Sequence, residues 1–258
     1  MPIQSLRPGK AINLLVFADP GWGKTRLAGS SPGKTLILRP PQDHTDSILK
    51  ADRASTKEWV LNDWDDMWEA MEFCRHDGKQ FDWIWLDSIS LLQDIGLDDI
   101  WNTVITEKPA RKRYGLDKQE YGINMFRLSQ LIRQIVAAGE FNFGVTAHPA
   151  ELAWSEDEET MDKLMPWVQG KNMAPKISGY MNMVAFGDQT DSGKRQLHFT
   201  ATSRYYAKDQ FDAFPKGKLL DPTMPKIVDA IDKTRPAAKA TGTSKTRRAG
   251  TSRRRTTK

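Results

Sequence analysis

Cysteine is almost absent from this sequence, and so are several other features that would restrict its class. One cysteine in 258 residues, Cys74, cannot form an internal disulfide, which fits a reducing compartment. The four histidines are dispersed, so the sequence offers no ligand spacing typical of a zinc site. The longest apolar runs, such as 14–18, are too short to cross a bilayer, and the N-terminus lacks the pattern of a signal peptide. We therefore expect a cytoplasmic protein without membrane contact.

Acidic residues are absent from the last part of the chain. Residues 233–258 contain ten Lys and Arg but no Asp or Glu, which leaves 28 basic and 33 acidic residues in 1–232, a net charge of −5. The same stretch has no large apolar side chains, so we expect a folded domain over 1–232 and a disordered basic tail over 233–258. Such a tail attracts nucleic-acid phosphates without sequence preference, although a merely solubilising tail has the same composition.

Apolar runs alternate with helical patterns along the first part of the chain. This alternation predicts an α/β fold with a mostly parallel sheet flanked by helices. Two later apolar runs, separated by the turn sequence "DQTDSGK", predict antiparallel strands at the C-terminal edge of that sheet. The acidic segment 148–170 predicts a long functional or mobile loop. The predicted strands are 12–18, 34–39, 81–87, 141–148, 181–187 and 195–202, and the predicted helices are 63–75, 88–105, 120–138 and one within 221–232.

The stretch "ADPGWGKT" (18–25) matches a Walker A phosphate-binding loop, with Ala18 in place of the first glycine. In this motif backbone N–H groups surround an anion, Lys24 reaches the β- and γ-phosphates, and the Thr25 hydroxyl binds Mg²⁺. The alternative is an ordinary glycine-rich turn between a strand and a helix. The Trp22 ring could stack on a base or on a neighbouring subunit, or be partly buried. The predicted nucleotide-binding residues are Asp19, Pro20, Gly21, Trp22, Gly23, Lys24, Thr25 and Arg26.

Polar residues at the ends of two other predicted strands complete this site. Asp87 follows the apolar run 83–86 and is the predicted Walker B acid, which holds Mg²⁺ together with Thr25. A residue that only caps the next helix is the alternative. Thr146 and His148 end the strand 141–148, where His148 would contact the γ-phosphate or, alternatively, be a partly buried structural histidine.

Lys208 follows the aromatic run "RYYA" near the end of the predicted sheet. A cation at this position could reach the γ-phosphate of a neighbouring subunit and neutralise charge in the transition state. A solvated surface lysine is the alternative.

Taken in order, these motifs resemble those of phage RecA-like P-loop ATPases, in particular the core-only RecA/RadA-type single-strand annealing proteins. The resemblance covers about 11–232 and rests on "ADPGWGKT", "IWLDS", "EYGINMFRLSQLIRQI", "VTAHP", "PWVQGK" and "YYAKD". It implies a RecA-like core that binds ATP and Mg²⁺ between the subunits of a ring or filament. It also implies binding of single-stranded DNA, a role in phage recombination or strand annealing in the host cytoplasm, and contact with a single-strand DNA-binding protein. Under this resemblance His148 is a sensor and Lys208 the cation supplied in trans.

The sequence departs from that family at two catalytic positions. The glutamate that activates water after the second strand is missing, so Asp43 and Asp46 are the candidates to replace it. Gln210 stands where relatives carry a second cation. These departures keep two alternatives open: a helicase motor of the same fold, and a nucleotide-binding oligomeric module that does not hydrolyse ATP.

Basic residues on and near the third predicted long helix form the candidate DNA-binding surface. Arginines and lysines next to an aromatic residue suit a groove that follows a nucleic-acid backbone and stacks its bases, and they equally suit a solvated helix face. The candidates are Arg111, Lys112, Arg113, Arg127, Arg133 and Lys171.

Overall fold

The computed structural model describes residues 11–152, 163–170 and 172–235. Strands and helices alternate through most of this region, as the sequence predicts. The strands are β1 (Asn13–Ala18), β2 (Thr35–Arg39), β3 (Thr56–Val60), β4 (Trp83–Leu86), β5 (Asn142–Ala147), β6 (Pro149–Leu152), β7 (Lys163–Pro166), β8 (Met183–Gln189), β9 (Arg195–His198), β10 (Lys208–Asp209) and β11 (Lys218–Leu220). The helices are α1 (Lys24–Gly29), α2 (Trp64–His76), α3 (Ile89–Glu107), α4 (Lys118–Ala138), α5 (Met173–Tyr180) and α6 (Met224–Thr234).

The central sheet has nine strands, eight of them in the order β11-β9-β8-β1-β5-β4-β2-β3, while β10 pairs with β8. All pairs from β3 across to β8 are parallel, whereas β9, β10 and β11 join antiparallel to their neighbours. This confirms the predicted α/β class, with a mostly parallel sheet and antiparallel strands at the C-terminal edge. Because the carboxyl ends of parallel strands share one edge, the residues that follow β1, β4 and β5 meet there.

Both faces of the sheet are covered, which explains why its strands are continuously apolar. Leu15 and Phe17 of β1 face a core that includes residues of α2, α3 and α4, while the alternate residues Leu14 and Val16 face a core that includes residues of α1 and α6. In the second core the indoles of Trp83 and Trp85 stack with their ring centroids 5.7 Å apart. None of the helices in the described part of the chain is long and apolar enough to cross a membrane.

Local capping sets the ends of two helices. The Asp63 carboxylate accepts from the Asp66 N–H, so Asp63 caps α2 and the helix begins at Trp64, one residue after the predicted start at 63. At α4, Asp117 and Glu120 form a capping box, so the helix begins at Lys118 rather than at the predicted residue 120. Gly139 ends α4 with φ 65°, the left-handed conformation that glycine adopts readily.

The structure differs from the predicted layout in three places. The strand β3 was not predicted, because only two of its five residues, "TKEWV", are apolar. The predicted long loop 148–170 contains an antiparallel pair, β6 with β7, while 153–162 lie outside the described residues. Helix α6 continues to Thr234, two residues beyond the boundary expected at 232. The predicted disorder of the rest of the tail falls on 236–258, also outside the described residues.

We expect Gly144→Ala to destabilise the domain, because a Cβ at this β5 position would lie 2.2 Å from the buried Trp85 indole. Overpacking of this kind costs about 1–3 kcal/mol. Urea unfolding followed by circular dichroism measures the change. Gly122→Ala on α4 is the matched control: nothing lies within 4 Å of its added Cβ, so it should stabilise the helix by about 0.5–1 kcal/mol. Equal midpoints for the two variants would contradict this packing.

Candidate nucleotide-binding site

The loop between β1 and α1 has the backbone geometry that the Walker A prediction requires. Gly21 and Gly23 have φ of 81° and 104°, values that L side chains rarely adopt, so glycine is needed at both positions. Helix α1 begins directly afterwards, at Lys24, and the Leu27 N–H donates to the Gly23 carbonyl at 2.9 Å. The strand, tight turn and helix start therefore follow one another as in a phosphate-binding loop.

Lys24 lies folded back across this loop and is largely buried. Its Nζ donates to the carbonyl oxygens of Ala18 at 2.8 Å and Asp19 at 3.2 Å. Burial lowers the pKa of the ammonium, and the nearby carboxylates of Asp87 and Asp43 oppose that shift. The Lys24 ammonium is thus held inside the loop by two carbonyl oxygens and lies near two carboxylates.

The Asp87 carboxylate is buried at the carboxyl end of β4. It accepts hydrogen bonds from the hydroxyls of Thr146 on β5 and Thr25 on α1. Burial raises its pKa above the ordinary value, against the effect of both hydroxyls and of Lys24. The two residues predicted to bind Mg²⁺, Thr25 and Asp87, are therefore in direct contact, and their oxygens suit a cation that keeps phosphate and water as its other ligands.

The two aspartates proposed as substitutes for the missing glutamate lie in different places. Asp43 accepts from the Ser88 backbone N–H at 2.8 Å and from the Ser88 hydroxyl at 3.1 Å. Asp46 instead lines a separate cavity beside Arg53 and Glu58. Asp43, but not Asp46, lines the cavity of about 270 Å³ above the loop, whose lining is Pro20, Gly21, Gly23, Lys24, Thr25, Asp43, Ser47, Asp87, Ser88 and His148.

His148 follows β5 and is held through its backbone. Its N–H donates to the Ser90 hydroxyl at 2.9 Å, while its carbonyl accepts from the Trp167 N–H at 2.6 Å. Ser90 in turn donates to the Trp167 carbonyl at 2.8 Å. Burial and the charge of Lys24 lower the pKa of the imidazole. The cavity is therefore connected through His148 to the first turn of α3 and to the residue after β7.

Trp22 takes a different position from the one that base stacking requires. Its side chain is 3% exposed and its indole N–H donates to the Asp188 carbonyl at 2.7 Å. The ring also packs against Gly187, where an added Cβ would lie 2.8 Å from it. The position of the ring in this structure does not support stacking on a base or on a neighbouring subunit, and the burial expected as the other interpretation is nearly complete.

Arg195 is a basic residue at the loop that sequence reasoning missed. Its guanidinium carbon lies 5.6 Å from the Trp22 ring centroid, and a Cβ on Gly23 would lie 2.7 Å from its Nη1. Arg195 begins β9, where it pairs with Gln189 near the carboxyl end of β8. It is remote in sequence from the Walker A motif, so no local signal could have assigned it. Arg26, which was predicted, is exposed on α1.

Lys208 lies away from the loop of its own chain. Lys208 pairs with Val184 on β8, whereas Ala18 at the start of the loop pairs with Gly187 on the same strand. Val184 and Gly187 are three residues apart, which is about 10 Å along β8. Its Nζ donates to the carbonyls of Met181 at 2.7 Å and Ser178 at 3.4 Å, at the end of α5. Lys208 is therefore not part of the lining of the cavity above the loop, and its contact with the γ-phosphate of a neighbouring subunit stays a prediction.

The predicted DNA-binding residues are spread over the α3–α4 pair. Arg111 forms ion pairs with Glu120 at 2.9 Å and Asp117 at 3.3 Å, whereas Lys112 and Arg113 beside it are exposed. Arg111, Lys112 and Arg113 follow the C-terminal end of α3, whereas Ser88 at the cavity precedes its N-terminal end. The 19 residues of this helix span about 28 Å.

Two further candidates lie along α4. Arg127 forms an ion pair with Asp99 at 2.6 Å and lies over the Trp64 ring, and Arg133 donates to Gln130. Lys171 is outside the described residues.

We expect Asp87→Asn to stabilise the chain above the acidic range, in buffer without nucleotide. Because burial raises the pKa of Asp87, its charged form is disfavoured in the folded state, and this stability penalty grows as pH rises through the folded pKa. In urea titrations the variant should unfold at a higher denaturant concentration than the wild type at about pH 8. The difference should shrink as the pH falls below the ordinary Asp pKa of about 3.9, where the carboxyl becomes neutral in both states. A variant less stable at the higher pH would contradict the assigned burial.

Comparison with known proteins agrees with this geometry. Residues 10–211 match the family model described as an AAA domain. A search of curated proteins found no match. The family match supports nucleotide binding by a P-loop ATPase domain, and the narrower likeness to phage RecA-like annealing proteins stays a prediction. The match covers well over half of the chain, and with the loop, lysine and buried aspartate described above it identifies the chain as a member of the AAA domain family.

Proposed function

We propose that this chain binds ATP with Mg²⁺, hydrolyses it, and uses the nucleotide state to control binding of single-stranded DNA during phage recombination or strand annealing. The observation that carries the nucleotide part is the meeting of Lys24, Thr25 and Asp87 at one cavity. Lys24 and Thr25 come from the Walker A motif and Asp87 from the end of another strand, yet all three line the same space at the carboxyl edge of the sheet.

The Thr25 hydroxyl and the Asp87 carboxylate would hold Mg²⁺, directly or through water. When bound, the ion neutralises charge on the β- and γ-phosphates. Thr146 keeps the Asp87 carboxylate in place by donating to it, and Lys24 adds a positive charge beside the same phosphates. These residues thus bind and orient the triphosphate.

Asp43 is the proposed residue that orients the attacking water. Both donors of Ser88 fix its carboxylate at the cavity wall, so a water bound to it would have a defined position. The shorter side chain, compared with glutamate, leads us to expect slow hydrolysis.

The proposed link to DNA runs through His148. Its backbone contacts to Ser90 on α3 and to Trp167 after β7 connect the cavity to α3 and to the β6–β7 pair. A γ-phosphate contact by its imidazole would therefore shift both α3 and that strand pair.

The proposed DNA surface includes Lys112, Arg113 and the neighbouring Tyr114, whose side chain is 79% exposed and suited to stacking on a base. Assembly into a ring or filament would bring Lys208 to the neighbouring nucleotide.

A second candidate function is a nucleotide-binding oligomeric module without turnover. The observation that favours it is the lining of the cavity: its two acidic residues, Asp43 and Asp87, are both aspartates, and the described lining includes no glutamate. ATP would then stabilise an assembly and its hydrolysis would be negligible.

The steady-state ATPase rate, measured with and without single-stranded DNA at two salt concentrations, tests the proposal. We expect stimulation by DNA that weakens at the higher salt. Asp43→Asn should lower the stimulated rate by about 100-fold or more, since it removes the proposed water-orienting group. Asp46→Asn is the matched control and should leave the rate unchanged, because Asp46 lies in another cavity.

Three results would contradict parts of this proposal. ATP binding without DNA stimulation would favour the module without turnover. Displacement of a strand from a duplex would favour a helicase. A rate that falls in Asp46→Asn and not in Asp43→Asn would show that the water-orienting residue has been assigned to the wrong aspartate.

We expect removal of 236–258 to weaken binding of single-stranded DNA and to reduce its salt dependence. The segment carries eight Lys and Arg and no acidic residue, and each phosphate contact contributes to the slope of affinity against salt concentration. The truncation leaves α6 intact. Fluorescence anisotropy at several salt concentrations measures both quantities, and the ATP affinity of the same variant is the control for folding. Unchanged affinity and slope would exclude the tail as the electrostatic anchor.

A further inference from the structure

The nucleotide loop has two chemically different sides. On the side of β5 and β4 lie the acidic and hydroxyl groups, including Asp87, Thr146 and Asp43. On the other side lies β8, whose Gly187 pairs with Ala18, and next to it β9, which begins at Arg195. The carboxylate and hydroxyl groups that line the cavity with Thr25 thus lie on the β4 and β5 side of the loop.

Arg195 reaches from β9 to the loop itself. Its Nη1 occupies the space that a side chain on Gly23 would need, at 2.7 Å from the position of the Cβ, and its guanidinium lies over the Trp22 ring. Trp22 is itself fixed by the hydrogen bond from its indole to the Asp188 carbonyl. The guanidinium is therefore positioned by buried structure and does not extend freely into solvent.

The charge of Arg195 is poorly balanced by protein groups. Burial and the positive charge of Arg26 lower the pKa of the guanidinium, and Asp221 acts in the opposite direction. Within the described residues no carboxylate lies within ion-pair distance of Arg195, and its side chain has no protein hydrogen-bond acceptor there. A half-buried guanidinium with unused donors is a strong binding group for phosphate, since its planar fork matches two phosphate oxygens.

We propose that Arg195 is a nucleotide-binding residue that, with Arg26, binds the phosphate chain at its α-phosphate end. This inference rests on the proposed nucleotide binding and adds a residue that the Walker motifs do not contain. Thr25 and Asp87 would hold Mg²⁺ with the β- and γ-phosphates on the β4 and β5 side, which would leave the α-phosphate toward β8 and β9, where Arg195 and Arg26 both contribute positive charge.

Isothermal titration with two probes, ATP and inorganic tripolyphosphate, tests the assignment on the full chain with Mg²⁺. Arg195→Gln removes the charge and should weaken the binding of both probes by a similar factor, about tenfold or more, as expected for loss of a hydrogen bond to a charged group. Arg75→Gln is the matched control, because Arg75 is an exposed arginine on α2, paired only with Glu72 among the described residues. It should leave both affinities unchanged.

A second measurement uses the unaltered chain and does not depend on the folding of a variant. Phenylglyoxal modifies arginine side chains, and mass spectrometry reports the modified fraction at each one. Tripolyphosphate with Mg²⁺ should protect Arg195 at least severalfold and leave Arg75 as reactive as before. Equal modification of Arg195 with and without tripolyphosphate would overturn the proposal.

The titrations also separate this inference from the function on which it rests. If Lys24→Ala abolishes ATP binding while Arg195→Gln binds both probes as the wild type does, nucleotide binding stands and the role of Arg195 is overturned. A loss confined to ATP would also overturn it, since the contact would then be to the nucleoside. A wild-type chain that binds neither probe would overturn the proposed nucleotide binding itself.

Discussion

A buried carboxylate, that of Asp87, is the group on which the arrangement of the carboxyl edge depends. It ends β4, accepts from Thr146 on β5, and accepts from Thr25 on the first turn of α1. Three elements distant in sequence are therefore fixed to one another through one side chain. Burial disfavours the charged form of Asp87, so the ionised carboxylate that would bind Mg²⁺ lowers the free energy of unfolding. Strain or desolvation of this kind is common where a site is built to receive a ligand.

The sheet topology explains why the site has two unlike sides. Because β1 lies between β5 and β8, its loop borders a parallel strand on each side. The β5 side leads to the Asp87 carboxylate and to His148, and through His148 to the β6–β7 pair. The β8 side leads through the turn 190–194 to Arg195. Arg195 therefore lies on the opposite side of the loop from Asp87, whereas Lys24 lines the same cavity as that carboxylate.

The sequence predicts those parts of the site that are local in the chain. The loop 18–25 and Asp87 follow apolar strands directly, so motif and periodicity together assign them. The choice between Asp43 and Asp46 could not be made, because it depends on how a loop folds toward Ser88 on another element. Arg195 was missed for the same reason. Trp22 was assigned to the nucleotide by its place in the motif, yet its contacts with Gly187 and Asp188 come from a strand more than 160 residues later. In each case the position of the side chain depends on contacts with residues distant in the sequence, which a local motif does not contain.

The most direct test of the central claim is the equilibrium affinity of the purified chain for ATP, measured by titration calorimetry with Mg²⁺ and again with an excess of chelator. If Thr25 and Asp87 hold the ion against the phosphates, ATP should bind at least about tenfold more tightly with Mg²⁺. Equal affinity under the two conditions would contradict the metal site formed by Thr25 and Asp87. The absence of measurable ATP binding would contradict the account of the loop itself.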